Sequence, residues 1–100
     1  MDEYAVLQIL ASGSSGNALF LRIGQTRLLV DAGISLRRIR RGLERVGETL
    51  GALDAVVLTH EHGDHIDGLS PLISEYPDLS VICSQGTREA CGGTLADHSA

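Results

Sequence analysis

The stretch His60-Glu61-His62-Gly63-Asp64-His65 decides how this chain is read. Three of its four histidines fall within these six residues, a density that calls for a chemical reason. In extended backbone, residues two apart point to the same side, so His60 and His62 can converge on one cation. Gly63 lets the backbone turn sharply. Asp64 and His65 then open the following segment and can point back into the same cavity. Neutral imidazole and carboxylate are a ligand set for zinc, and equally for manganese or iron. The competing reading is a solvated polar loop. It explains less well why four potential ligands follow a buried strand with glycine at the hinge.

Working outward, Leu53 to Thr59 is nearly all apolar and predicts a strand buried on both faces. Downstream, Ile66 to Glu75 predicts a helix with Leu69, Leu72 and Ile73 inward, ended before Pro77. Leu79 to Cys83 reads as a further strand and Gly86 to about Cys91 as a short helix. Upstream, Tyr4 to Leu10 is a predicted strand, and Ser12-Gly13-Ser14-Ser15-Gly16-Asn17 is a turn of residues that favour local hydrogen bonds. Ala18 to Ile23 and Thr26 to Val30 form a predicted hairpin about Gly24-Gln25, and the second strand ends in Asp31-Ala32-Gly33. Ser35 is placed to cap a helix whose apolar residues Leu36, Ile39, Leu43 and Val46 recur at helical spacing, with Gly47 and Gly51 closing the segment. The order β-β-β-α-β-α-β-α predicts a layered α/β protein, a mixed sheet with covering helices.

The His-Glu-His-Gly-Asp-His segment resembles the signature of the metallo-β-lactamase fold hydrolases. Leu29-Val30-Asp31-Ala32-Gly33 resembles that family's first motif, an aspartate ending an early strand. The Ser12 to Asn17 turn is similar to an exonuclease-like phosphodiesterase branch associated with cell-wall two-component regulators. The resemblance covers about residues 6 to 90. It implies an αββα sandwich of which this chain is the N-terminal half, with one or two metals at the sheet edge. Carried over by position, His60 and His62 bind the first metal, and Asp64 and His65 the second. Asp64 also orients the nucleophile, and Asp31 supports the site by orienting a ligand histidine. The implied cofactor is zinc, with manganese or iron as alternatives, in a binuclear centre. The implied reaction is hydrolysis of a phosphodiester in nucleic acid by metal-activated hydroxide. Thioesters, lactams and cyclic phosphodiesters are the alternative substrate classes.

The family's site takes further ligands from later in its domain, and they are not found here. The remaining histidine, His98, lies near the C-terminus and reads as a tail residue. A catalytic zinc usually has three protein ligands, whereas each half-site here has two. The expectation is therefore a single, apparently truncated domain over residues 1–100, with surface left open to self-association. A catalytically inactive metal-binding or folding fragment is the alternative reading.

Composition narrows the partners. One hundred residues make one domain. Eight arginines and no lysine stand against thirteen acidic residues, so a net charge of −5 gives no general attraction to nucleic acid or anionic membrane. No apolar run approaches the ~20 residues of a membrane helix. Met1-Asp2-Glu3 is unlike a secretory start, and Cys83 and Cys91 form no disulfide framework, so a cytoplasmic protein is expected. Five of the eight arginines, Arg37, Arg38, Arg40, Arg41 and Arg45, fall on the predicted helix after Ser35. They read first as its solvated face and second as phosphate contacts. Ser14 and Ser15 have no evident base partner, which argues against a serine nucleophile.

Overall fold

A computed structural model describes residues 5–13, 16–59 and 68–86. Five strands, β1 (Ala5–Ala11), β2 (Ala18–Ile23), β3 (Thr26–Val30), β4 (Ala55–Val57) and β5 (Ser80–Ile82), form one sheet in sequence order. The first three pair antiparallel, and β3, β4 and β5 pair parallel. Each parallel step needs a crossover, and the helices supply it. These are α1 (Leu36–Glu44) between β3 and β4, and α2 (Leu69–Glu75) between β4 and β5. The mixed α/β sheet with covering helices is thus as expected.

Cross-strand register sorts the side chains onto two faces. Phe20, Leu29, Val56 and Val81 are partners across β2 to β5, and all four are fully buried. Ile39 and Leu43 of α1 and Leu69 and Leu72 of α2 close over this row and are buried as completely. The opposite face carries Leu7, Leu21, Leu28 and Ala55 in one row and Ile9, Leu19, Val30, Val57 and Ile82 in the next. Among the described residues no helix covers it. Leu7 is 60%, Ile9 59% and Ile82 52% exposed, so apolar side chains on the two edge strands of this face border solvent.

Local chemistry accounts for the helix limits. The Ser35 hydroxyl accepts from the Arg38 N–H at 3.3 Å, as an N-cap should. Gly47, at φ 73, ends the turn that follows α1, where its N–H donates to Glu44 and the Glu48 N–H to Leu43. This brings Glu48 inward. Its carboxylate is buried and accepts from Arg22 at 2.8 Å and Arg27 at 2.7 Å, tying the end of the helix segment to β2 and β3. α2 begins at Leu69 and ends before Pro77.

The predicted strands 53–59 and 79–83 are shorter, three residues each. Pairing nevertheless runs past the strand ends, since Asp54 donates to Arg27 and Leu58 to Ile82, each at 2.8 Å. A 3₁₀ turn at Leu50–Ala52, not expected from the sequence, precedes β4 and buries Leu50. The predicted helix from Gly86 to about Cys91 lies outside the described residues except at Gly86, which is helical.

Candidate metal centre

β3 delivers Asp31 to the end of the sheet where β4 also finishes. The Asp31 N–H continues the parallel ladder by donating to the Val57 carbonyl at 2.7 Å. There the chain leaves extended geometry, with Asp31 at φ 63, the one non-glycine among the described residues with positive φ. Aspartate is among the few residues that tolerate this region, at a cost of ~1 kcal/mol. The conformation turns its carboxylate toward the end of β4. Oδ1 accepts from the Thr59 N–H at 2.8 Å, and Oδ2 accepts from the Thr59 hydroxyl at 2.7 Å. Asp31 is 6% exposed, and bonds to a charged acceptor out of water are among the stronger ones. Thr59 directly precedes His60.

The next residue holds the other side. The Ala32 carbonyl accepts from the Gly68 N–H at 2.6 Å. Gly68 is buried, and a Cβ there would collide with the Ile34 carbonyl and press on Ile39 and the Ala32 carbonyl. Only glycine lets the chain enter α2 this close to the 31–34 segment. Thr59 and Gly68 therefore bracket residues 60–67, and both are fastened to Asp31-Ala32.

The 31–34 segment is itself gripped from behind. Gly33 donates to the Asn17 carbonyl at 2.8 Å, and a Cβ on Gly16 would lie 2.6 Å from the Gly33 oxygen. The Asn17 side chain closes its own turn, accepting from the Gly13 N–H at 3.2 Å and donating to the Gly13 carbonyl at 3.1 Å. The predicted Ser12 to Asn17 turn thus supports the Asp31 segment. Ser14 and Ser15 lie outside the described residues.

So do the predicted ligands His60, His62, Asp64 and His65, together with His98 and Cys91. Of the predicted site residues the structure describes Asp31, and its contacts reach Thr59, the neighbour of His60. Among the described residues no group of three or more His, Cys, Asp or Glu gathers as a metal would require. The donor types in 60–65 suit a divalent cation in their own right, and the strand-end clamp fits a segment that must be held at both ends. Sequence reading missed two of the clamp's members. Thr59 passed as the last residue of a strand, and Gly68 passed inside a predicted helix. A glycine inside a helical pattern costs about 1 kcal/mol against alanine and was the available signal.

A concavity of about 420 Å³ among the described residues lies elsewhere. It is lined by Leu50, Asp54, Tyr76 and Asp78, among others, at the end of β4 and β5 away from the motif.

The profile of the metallo-beta-lactamase superfamily matches residues 11–97. Exodeoxyribonuclease WalJ of Streptococcus pneumoniae is 47% identical over 82 residues, which is 82% of this chain and 30% of that protein. Exodeoxyribonuclease YycJ of Bacillus anthracis is 38% identical over 82 residues, 82% of this chain and 31% of that protein. Among solved structures, a Cronobacter sakazakii metallo-beta-lactamase with a HARLDQ motif superposes with a TM-score of 0.66 at 26% identity, over 77% of this chain and 31% of that one. The chain therefore spans about a third of the length of the relatives it matches.

Proposed function

This chain belongs to the metallo-beta-lactamase superfamily, and on that premise we propose that it carries the first part of the active site of a metal-dependent phosphodiesterase acting on DNA. The observation that carries the reading is the double tether of residues 60–67, through Thr59 and Gly68, to Asp31-Ala32. A loop that must present several ligands to one point needs both ends fixed, because each misplaced donor weakens a metal site. His60 and His62 would hold one divalent cation, and Asp64 and His65 a second, with zinc the first choice and manganese or iron suited to the same donors. Bound cations supply acidification of a water and neutralisation of charge on phosphate oxygens. Asp31 positions the segment through Thr59, and Asp64 orients the attacking water. The exodeoxyribonuclease relatives support a nucleic-acid substrate over a thioester or lactam.

The test is the metal content of the protein after dialysis against metal-free buffer, with His62→Ala alongside, followed by digestion of single-stranded DNA. Near-stoichiometric metal that is lost in the variant, with DNA shortened by the unsubstituted protein, is expected. Metal unchanged by the substitution overturns the ligand assignment, and a loaded protein that cleaves a thioester or lactam but leaves DNA intact overturns the substrate.

A second reading, a metal-binding or folding fragment without activity of its own, is favoured by the apolar sheet face bordered by Leu7, Ile9 and Ile82. It predicts metal binding that rises with chain concentration.

A further inference from the structure

The arginines of α1 are not equivalent. Arg40 pairs with Glu75 of α2 at 2.6 Å. Away from the helix, Arg22 and Arg27 are committed to Glu48. Arg38, Arg41 and Arg45 are exposed, and among the described residues none of their side chains has an acidic partner. At spacings of three and four they stand along one side of the helix, over about 10 Å of its axis. Together with Leu10 and Gly42 they line a concavity of about 130 Å³.

The packing beneath them explains the groove. A Cβ at Gly42 would lie 2.6 Å from the Leu10 side chain, so glycine lets α1 settle onto β1 and leaves a recess floored by Leu10. Leu10 lies near the end of β1 that pairs toward β2 and Val30, the same end of the sheet as Asp31. The Leu10 side of the groove therefore lies at the end of the sheet where β3 leads into Asp31. Three arginines without an acidic partner among the described residues thus gather their positive charge at one place on a chain of net charge −5.

We infer that Arg38, Arg41 and Arg45 form a track for the phosphodiester backbone of a nucleic-acid strand entering or leaving the site. This rests on the phosphodiesterase reading above. Guanidinium groups bind phosphate oxygens through paired N–H donors, and a row of them follows a backbone without reading its sequence. Ten ångströms correspond to about three nucleotides at the ~3.4 Å per-strand rise of a stacked helix. Leu10 gives the groove an apolar floor beside its charged wall, suited to a sugar edge.

The experiment is titration of a fluorescein-labelled single-stranded oligodeoxynucleotide in EDTA, followed by anisotropy at several salt concentrations. The proteins are the unsubstituted chain, Arg38→Gln/Arg41→Gln/Arg45→Gln, and Arg40→Gln. The triple variant is expected to bind at least tenfold more weakly, with a salt slope shallower by about two, from roughly 0.7 per lost phosphate contact. Arg40→Gln should stay within twofold. Equal affinity and slope in the triple variant overturn the proposal. If circular dichroism shows that the triple variant has lost its fold, Arg41→Gln carries the test, with a two- to threefold loss expected and no loss overturning it.

A small diester, bis(p-nitrophenyl) phosphate, separates the two readings. If the metal-loaded protein cleaves neither it nor DNA, yet binds DNA through the three arginines, the functional reading fails and the track stands. If it cleaves both and the triple variant loses nothing on DNA, the track fails and the functional reading stands.

Discussion

Asp31 combines an unfavourable backbone with two short hydrogen bonds, and its variants can separate them. Asp31→Ala loses both bonds to Thr59 and keeps the φ 63 strain, a loss of about 3 kcal/mol in urea unfolding. Asp31→Gly loses the same bonds but relaxes the backbone, and should unfold about 1 kcal/mol less easily than the alanine variant. Asp31→Asn tolerates the left-handed region and retains one acceptor, so it should be the mildest of the three. Equal stability across the series would mean that the carboxylate and the φ angle contribute nothing to holding this corner. Gly68→Ala drives a methyl into the Ile34 carbonyl and costs roughly 2–3 kcal/mol, measured the same way. That substitution should also weaken metal retention, because it loosens the downstream tether of residues 60–67. Asp31 was legible as a strand-ending aspartate from Leu29-Val30-Asp31-Ala32-Gly33. Its partner was not, since a threonine at a strand end has no sequence mark of the carboxylate it will meet 28 residues away.

Among the elements, α1 was the most legible. Ser35 caps it, Ile39 and Leu43 are buried, and the arginines face water, as the spacing requires. What periodicity could not tell is how each charge is used. Two acidic residues in contact with arginines make the contrast. Glu48 is 7% exposed and receives two guanidinium groups, whereas the Arg40–Glu75 pair is nearly half exposed on both sides. Glu48→Ala leaves Arg22 and Arg27 without their common acceptor and should cost about 3 kcal/mol in thermal or urea unfolding. Glu75→Gln should change stability by less than ~0.5 kcal/mol, the usual worth of an exposed pair. Similar losses for the two would contradict the difference in burial. The short β4 was predicted as longer because its flanks, Leu53 and Leu58, are apolar and buried without lying in a regular strand.

At the scale of the whole molecule, the helices among the described residues cover one face of the sheet and not the other. Phe20, Leu29, Val56 and Val81 are sealed by the two helices, while Leu7, Ile9, Ile23 and Ile82 are each more than half exposed. An apolar surface of this kind draws other apolar surface to it, and the expected behaviour of the chain in solution is dye binding and concentration-dependent association. Leu7→Lys/Ile9→Lys puts two charges on this face without touching the Phe20 row. It should reduce both the fluorescence of a hydrophobic dye and the sedimentation-velocity weight at high concentration. If neither falls, association runs through another surface.

The sequence by itself determined the order of the described elements and the strand-end aspartate, and it is the source of the candidate ligands. Each of these is a local matter of residue type and spacing, such as a turn of glycine and asparagine, an apolar row at helical period, or histidines two apart. Only the tertiary structure decided that Thr59 and Gly68 share one anchor, that Glu48 serves two strands, and that three arginines gather over Leu10 while a fourth is spent on α2. Those outcomes depend on which distant segments parallel pairing brings side by side. A residue's sequence neighbourhood carries no record of the partner that a crossover of 20 or 30 residues will place against it.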